Sequence, residues 1–303
     1  MLSSKILAGE GDDRVHMRLK ADLTLLLVAI LWGSAFAAQR VAAQLGGVFF
    51  FNAARFLLAG LILLALRPRV RLSREQWLWM SAAGTILFLA SALQQAGLLT
   101  TTAGNAGFIT SLYVVIVPFV MLAGWGERPH WLAVLAVLLA GFGAFLLSTG
   151  GQMRVQSGDA LELAGAAFWA LHVVLLGKFA SKFDAISFSA GQLLVGSLLN
   201  FGAAALFERG TIALPAPLLG AILYTAVMSL GLAYTLQIWG QKHTPPTDAA
   251  ILLSLESVFA VLGAWVWLGE TLSNVQIDGC VVILVAVILS QAKGWGRIEA
   301  EGR

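Results

Sequence analysis

Long apolar stretches separated by short polar segments dominate the pattern along the chain. Each stretch approaches the roughly 20 apolar residues that a helix needs to cross about 30 Å of hydrocarbon. The pattern therefore predicts an all-α integral membrane protein with about ten transmembrane helices. We number them helices 1 to 10, and they cover residues 23–43, 49–66, 77–99, 104–125, 131–147, 160–177, 186–207, 218–239, 247–268 and 275–290.

The composition supports this prediction and excludes several other classes of protein. Of 303 residues, 59% are hydrophobic and 12% are charged, whereas soluble chains are about 45–50% apolar and about 25% charged. The basic residues lie between the apolar stretches rather than on one soluble face, so no nucleic-acid partner is expected. The single cysteine, Cys280, excludes an internal disulfide framework and a cysteine-based metal cluster.

The distribution of Lys and Arg predicts the orientation in the membrane. With the N-terminus in the cytoplasm, fifteen of the nineteen Lys and Arg residues fall in cytoplasmic segments. Outside segments hold Arg40, Arg154 and Arg209, and Arg55 lies within helix 2. Cytoplasmic loops of membrane proteins carry an excess of these residues. We therefore expect a multi-pass protein of a bacterial inner (plasma) membrane with both termini in the cytoplasm.

The chain contains an internal repeat. A shift of 143 positions aligns residues 93–127 with 236–270 without a gap, and ten of the thirty-five pairs are identical. A shift of 137 aligns Trp32 with Trp169. Each half then holds five helices, and this odd number places the two halves in opposite orientations.

The repeat predicts the domain organisation. Residues 22–149 and 158–291 form two inverted five-helix repeats, flanked by a cytoplasmic N-terminal segment over 1–21 and a cytoplasmic tail over 292–303. Inverted repeats are common in secondary transporters, whose substrate site lies near the middle of the membrane between the repeats.

Four motifs carry a resemblance to a known family. They are LWGSAF at 31–36, ARFLLAG at 54–60, FWALHVV at 168–174 and LESVFAVLGAWVWLGE at 255–270. They resemble the EamA-type repeats of the drug/metabolite transporter superfamily. Within it, the chain is similar to ten-helix exporters, including the YddG-type amino-acid exporters. The resemblance implies a central cavity and gradient-driven export of amino acids or related small solutes.

The chain departs from the family at one position. The family often has proline after the glutamate of helix 9, and here Ser257 follows Glu256. A hinge role of that proline is therefore not transferred to this chain. In the matching helix 4, Pro118 leaves a carbonyl without its usual amide partner, so we expect it to break that helix at a bend used in gating.

Polar side chains at membrane depth must pair internally or face a cavity. Helices 1, 3, 4, 6, 8 and 9 carry most of them, whereas helices 5 and 10 are almost purely apolar through their middles. We therefore expect those six helices to line the pathway. The candidate substrate-binding residues are Trp32, Gln95, Tyr113, Trp169, His172, Tyr224, Tyr234, Glu256 and Ser257.

The ionisable candidates have alternative interpretations. Glu256 lies about 13 Å into helix 9 at 1.5 Å per residue, and we expect it to be the one deep acid. It serves either as a proton-coupling or substrate-amine site or as a structural hydrogen-bond acceptor. His172 is either a proton relay or a packing residue. Arg55 is expected to snorkel outward or cap rather than bind an anion, partly because its repeat mate is Gln192.

The favoured function is secondary export, without ATP, of amino acids, aromatic ones included, or similar small amphipathic metabolites by alternating access. A passive facilitator or channel and a multidrug exporter remain alternatives, and an intramembrane enzyme is less consistent with the sequence. No phosphate-binding loop, metal-ligand spacing or catalytic triad is evident, so neither a cofactor nor an enzyme is predicted. The expected partners are a small-molecule substrate and the lipid bilayer, and no oligomeric state is indicated.

The predicted topology is tested with reporter fusions. A reporter that is active only outside the cytoplasm should be silent when fused at Arg303 and active when inserted near Gln152, because the Lys and Arg bias retains the first site inside. The opposite pattern of activity would contradict the predicted orientation.

Overall fold

A computed structural model describes residues 2–67, 72–149, 157–208, 213–269 and 273–301. In these ranges the structure is helical and contains no strand. The helices α1 to α10 correspond to predicted helices 1 to 10. Their bounds are Leu2–Leu45, Val48–Leu66, Arg74–Gly97, Ala103–Ser111 with Tyr113–Trp125 as α4, Trp131–Thr149, Ser157–Phe179, Ala185–Phe207, Ala216–Gln241 as α8, Pro246–Leu253 with Glu256–Leu268 as α9, and Asn274–Glu301.

The predicted all-α membrane fold is confirmed. Eight described helices are long and apolar enough to cross a membrane, and shorter apolar stretches lie in α5 at Trp131–Gly143 and in α10 at Asn274–Ala286. Several residues used to predict orientation lie outside the described ranges. They are Arg69, Arg71, Arg154, Arg209 and Arg303.

Two helix ends differ from prediction. α1 begins at Leu2 rather than at 23, and α10 continues to Glu301 rather than ending at 290. Hydropathy marks where a helix leaves the hydrocarbon, but a helix does not end there, because Lys, Arg and Glu are good helix formers in water. Arg18 shows this continuation, since it forms an ion pair of 2.9 Å with Asp22 one turn later.

The packing of the helices maps onto itself when the two halves are exchanged. α2 packs against its repeat mate α7, and α5 packs against its mate α10. The contact of α3 with α6 has its counterpart in the contact of α8 with α1, and that of α1 with α9 has its counterpart in α6 with α4. This pattern is the one expected of two repeats related by a two-fold axis.

α4 and α9 are interrupted at equivalent positions. α4 is broken at Leu112 and α9 over Ser254 and Leu255, and the shift of 143 aligns Leu112 with Leu255. At each break a serine hydroxyl donates to a carbonyl three residues earlier: Ser111 to Phe108 at 2.7 Å, and Ser254 to Ile251 at 2.7 Å. Such bonds compete with the regular helical ladder and often bend helices.

The prediction that Pro118 breaks helix 4 is therefore wrong in its position. The interruption lies six residues earlier, and Pro118 sits inside the helix Tyr113–Trp125. The equivalent break in α9 forms without any proline. The local hydrogen bonding of the serines, rather than proline sterics, is what the two breaks share.

Glycines allow the two halves to approach closely. A Cβ added at Gly33 of α1 would lie 2.4 Å from the Cβ of Phe259 and 2.5 Å from the Glu256 carbonyl oxygen. Only a residue without a side chain fits there, because neither contact is with a flexible side-chain end. This crossing brings the break in α9 against α1. Small residues that permit such approaches are typical of helix interfaces in membranes.

We expect Gly33→Ala to destabilise the protein by about 1–3 kcal/mol, because it overpacks this crossing. Gly202→Ala is the matched control, since a Cβ at Gly202 meets nothing within 4 Å. The measurement is thermal unfolding of purified protein in detergent. A Gly33→Ala variant as stable as the Gly202→Ala variant would contradict the close crossing.

Candidate functional site

A narrow cavity lies between the two halves, where α1, α2, α3, α4, α6, α8 and α9 meet. Its volume, measured as room for the centres of water molecules, is about 40 Å³, enough for about three waters. The aromatic lining residues are Trp32, Phe36, Phe56, Tyr113, Trp169 and Tyr234. The other polar and charged ones are Gln39, Arg55, Ser91, Gln94, Thr110, His172, Ser229, Gln237 and Glu256.

Four rings form a continuous aromatic wall. The rings of Trp32 and Tyr234 have centroids 5.2 Å apart, and those of Tyr234 and His172 are 5.6 Å apart with nearly perpendicular planes. Trp169 meets His172 edge-on at 6.3 Å. Edge-to-face and tilted arrangements at these distances are favourable. The wall therefore joins the repeat mates Trp32 and Trp169 through two residues between them.

A π-helical segment in α8 holds Trp32 in place. Residues Thr225–Leu232 adopt this wider helix, which is rare and often found at functional sites. Within it, the Ser229 carbonyl accepts a hydrogen bond of 2.9 Å from the Trp32 indole Nε1. The irregular backbone of α8 thus satisfies a buried donor of α1 at the cavity wall.

Arg55 is a buried cation at the edge of the cavity. Its side chain is 3% exposed. Its Nε and Nη2 donate to the Asn52 Oδ1 at 3.0 and 2.7 Å, and its Nη1 donates to the Gln39 Oε1 at 2.9 Å. Its guanidinium also lies over the ring of Phe51, 4.7 Å from the centroid. The expectation that Arg55 snorkels outward is therefore wrong.

The partners of Arg55 are all neutral. Within the described ranges no Asp or Glu lies within ion-pair distance of its guanidinium. Neutral amides satisfy donors but do not compensate a charge, and an uncompensated charge is costly to hold away from water. The guanidinium is therefore suited to an anionic group that enters the cavity, since Arg recognises carboxylates through paired hydrogen bonds.

Glu256 supplies the acid of the cavity. Its side chain is 3% exposed, and it lies beside the hydroxyl of Tyr113, its repeat mate. Glu256 is the first residue after the break in α9, and the Tyr113 that faces it is the first after the break in α4. The two interruptions therefore bring an acid and a phenol together at the centre of the protein.

Several buried polar atoms around the cavity have no hydrogen-bond partner in the described structure. They are the Tyr113 hydroxyl, the Trp169 Nε1, the His172 Nδ1, both amide atoms of Gln237 and the Glu256 Oε1. Buried polar groups are nearly always paired, and exceptions call for an explanation. Because these atoms all belong to lining residues, the cavity is suited to a polar ligand or to water.

His172 is hydrogen bonded through only one of its two ring nitrogens in the described structure. Its Nε2 lies 3.0 Å from the Gln192 Oε1. Gln192 is the repeat mate of Arg55, so the second repeat uses this position to hold a histidine rather than to present a charge.

The sequence candidates separate into two groups. Six line the cavity: Trp32, Tyr113, Trp169, His172, Tyr234 and Glu256. The others lie elsewhere, since Gln95 donates to the Gln39 carbonyl at 3.0 Å and Ser257 hydrogen bonds within α9 at 2.8 Å. Tyr224 pairs with Ser34 at 2.7 Å beside an apolar groove of α1, α8 and α9.

Sequence reasoning missed several lining residues. Helix 2 was not expected to line the pathway, yet it contributes Arg55 and Phe56. Gln94 and Gln237 are identical repeat mates, and that identity was the available signal. The expectation of one deep acid is also wrong, because Glu162 is fully buried in α6; it is close enough to the helix start to be mistaken for an interfacial residue.

Comparisons with known proteins agree on a family. The EamA-like transporter family matches residues 19–149 and 156–291. An uncharacterized transporter of Archaeoglobus fulgidus is 34% identical over 282 residues, covering 92% of this chain and 88% of that protein. A threonine/homoserine exporter of Salmonella typhimurium is 28% identical over 154 residues, covering 50% of this chain and 51% of that protein.

A solved crystal structure shares the fold. It superposes with a TM-score of 0.75 at 19% identity and covers 90% of this chain and 96% of that one. No group of three or more His, Cys, Asp or Glu residues that could hold a metal ion occurs among the described residues.

The environment of Arg55 gives a stability prediction. Asn52→Ala removes the acceptor of two guanidinium donors, and we expect it to lower the free energy of unfolding by about 1–3 kcal/mol. Both variants lose the hydrogen bond that the Asn52 Nδ2 donates to the Ser91 carbonyl. Asn52→Asp keeps an acceptor for Arg55 and adds a counter-charge, so it should be more stable than Asn52→Ala. Thermal unfolding in detergent measures both. Equal stability of the two variants would show that Arg55 does not depend on this acceptor.

Proposed function

The chain belongs to the EamA-like transporter family, and we propose that it is a secondary exporter of amino acids that works by alternating access. The observation that carries the substrate class is the buried guanidinium of Arg55, which faces the cavity with neutral partners only. A substrate carboxylate supplies the charge that the protein leaves uncompensated.

A second ionisable side chain, the carboxyl of Glu256, lines the same cavity as Arg55. Tyr234 is within electrostatic range of both Arg55 and Glu256, and all three side chains line the cavity. An α-amino acid carries a carboxylate and an ammonium group, and this arrangement places a cation for the first and an acid for the second. A carboxylate pairs with guanidinium, and an ammonium donates to carboxylate and phenol oxygens.

The walls suit an apolar or aromatic side chain. Trp32 and Trp169 stand at equivalent places in the two repeats, and Phe36 and Phe56 complete the apolar surface. Aromatic rings offer large flat contact areas, and an indole adds one donor. The orphaned Trp169 Nε1 is available to a hydroxyl-bearing side chain. We therefore propose aromatic and hydroxyl-bearing amino acids as the first substrates to test.

The narrowness of the cavity supports alternating access. A volume with room for about three waters is too small for an amino acid, so the walls must separate before a substrate enters. The interruptions in α4 and α9 lie at the cavity, and Pro118 lies in the second half of α4. We propose that these broken helices move during opening and that Pro118 takes part in gating.

The proposed location is a bacterial inner membrane with both termini in the cytoplasm. Under this topology the amino ends of α1 and α9 face the cytoplasm and the amino end of α6 faces outside. The matched family and the named relatives are transporters, which favours transport over an enzymatic function.

Counterflow in proteoliposomes tests the proposal. Vesicles preloaded with an unlabelled amino acid should accumulate the labelled form transiently, because a carrier exchanges its substrate whereas a channel only equilibrates it. The panel should include aromatic amino acids, threonine, a cationic drug and a nucleoside. Counterflow for the drug or the nucleoside and for no amino acid would contradict the proposed substrate class.

The role of Arg55 is tested with blocked substrates. Amino acids with an amidated carboxyl should compete poorly with the free amino acid for binding to the parent protein. Arg55→Gln, which introduces the residue of its repeat mate, should weaken binding of the free amino acid by about 10- to 100-fold, the loss expected for a charged hydrogen bond, and should abolish the discrimination against the amide. Lys182→Gln is the charge-matched control, because Lys182 is 52% exposed in a surface ion pair. If Arg55→Gln discriminates like Lys182→Gln, the carboxylate site is elsewhere.

A further inference from the structure

The two repeats differ at one helix crossing. α1 crosses α8 at Gly240, where an added Cβ would meet the side chain of Leu25 at 2.9 Å. At the equivalent crossing of α6 with α3, a Cβ added at Gly97 would meet the Glu162 Oε1 at 2.7 Å. The shifts of 143 and 137 make Gly97 the mate of Gly240 and Glu162 the mate of Leu25. One repeat therefore buries a carboxyl group where the other buries a leucine.

The same crossings carry a matched pair of hydrogen bonds. Thr244 donates to the Asp22 Oδ1 at 2.8 Å at one end of the molecule, and Thr101 donates to the Asp159 Oδ1 at 2.8 Å at the other. Thr101 is the repeat mate of Thr244, and Asp159 is the mate of Asp22. These bonds tie the amino end of α1 to the segment that follows α8 and the amino end of α6 to the segment that follows α3. Each bond therefore joins the two repeats at one end of the molecule, and we call these contacts the closures of the α1 end and of the α6 end.

Glu162 lies inside the closure at the α6 end. It is about 7.5 Å from the start of α6 at 1.5 Å per residue, and its side chain is 0% exposed. Its Oε2 accepts from the Thr110 hydroxyl at 3.2 Å, which in turn accepts from the Gln94 Nε2 at 2.9 Å. Its Oε1 has no partner in the described structure. Thr110 and Gln94 line the cavity, so Glu162 is one hydrogen bond behind the cavity wall.

Among the described residues, the groups that face Glu162 supply no counter-charge. α3 presents Gly97 and Gln94, and α4 presents Thr110. The charged group near it on its own helix is Asp159, which is also an acid. Nearby, Arg40 of α1 donates to the backbone carbonyl of Leu98. A carboxylate in this setting is unfavourable, whereas a neutral carboxyl is tolerated.

We propose that Glu162 is the proton-binding group that couples closure of the α6 end to uptake of one proton. In the open state, water reaches the carboxylate, which is ionised. As the end closes, the carboxylate binds a proton from that side and enters the crossing as the neutral acid. Reopening returns it to water and releases the proton. The closure at the α1 end binds no proton at the equivalent position, because Leu25 occupies that position.

The proposal rests on the proposed transport function. Under the topology given above, the α6 end faces outside, so its closure is the outer one. Proton uptake by Glu162 makes the outer closure sensitive to pH in a defined direction. The closed state holds one more proton than the open state, so lowering the pH favours closure and raising it favours opening. The closure equilibrium changes by up to about 10-fold per pH unit between the protonation midpoints of the two states.

The test measures opening directly and needs no substrate. Cys280 is first replaced by Ser, and Ala166 is then replaced by Cys. Ala166 is fully buried and lies one turn beyond Glu162 on the same face of α6. Purified protein in detergent is treated with a charged thiosulfonate reagent across a pH series. Ser157→Cys, at an exposed position, corrects for the intrinsic pH dependence of the thiol reaction.

In the protein that retains Glu162, we expect the labelling rate of the cysteine at position 166, corrected with the Ser157→Cys rate, to rise steeply with pH. In Glu162→Gln it should be low and independent of pH, because the amide keeps the Thr110 bond but does not ionise. Glu162→Leu, which introduces the residue of the repeat mate, should also be closed and pH-independent. It provides the second variant if the amide disturbs folding, which size-exclusion profiles report.

Two other acids serve as controls. Glu75→Gln and Glu127→Gln should both keep the pH-dependent labelling of the parent, because these acids are 59% and 53% exposed in surface ion pairs. The inference is overturned if Glu162→Gln and Glu162→Leu retain that dependence, or if Glu75→Gln or Glu127→Gln removes it. Because labelling does not involve a substrate, a protein that shows the expected labelling but no amino-acid counterflow would refute the proposed substrate and leave the proton coupling intact. Labelling that does not change with pH, together with intact amino-acid counterflow, would refute the proton coupling and leave the proposed substrate intact.

Discussion

The guanidinium of Arg55 is the constraint around which the centre of the protein is built. A cation at membrane depth requires every donor to be satisfied by a neighbour, since no bulk water is available. Asn52 and Gln39 meet this requirement with neutral oxygens, and Asn52 is itself anchored to the Ser91 carbonyl at 3.0 Å. α1, α2 and α3 are thereby held together around a charge that the protein leaves without a counter-ion. The cavity lies where a bound anion would supply it.

Much of the architecture follows from the sequence because the bilayer restricts it so strongly. Ten apolar stretches and a repeat with two offsets were enough to predict the helices and the pairing of Trp32 with Trp169. The helix ends at Leu2 and Glu301 were not predictable from hydropathy, which reports the environment of a helix and not its length. The rotation of each helix about its axis was equally hidden. It decides that Arg55 faces inward and that Gln95 does not line the cavity.

The two broken helices show a second limit of sequence reasoning. Proline is a recognisable helix breaker, and it predicts a break at Pro118. The breaks in α4 and α9 instead lie at serines whose hydroxyls bond back to the helix, Ser111 and Ser254. Serine makes such bonds in many regular helices, so its presence alone predicts no break. Only the identity of these serines between the repeats marked the positions as unusual.

The chemistry of this protein is concentrated where its two halves differ. A duplicated scaffold supplies matched crossings, matched threonine–aspartate bonds and matched tryptophans, and these elements shape the pathway in both halves. The ionisable groups differ between the halves. In the alignment of the repeats, Arg55 corresponds to Gln192, Glu256 to Tyr113 and Glu162 to Leu25. Two identical halves would give equal free energies to the two open states. An ionisable group buried in only one of two equivalent closures makes them differ, because its burial carries a cost that depends on pH.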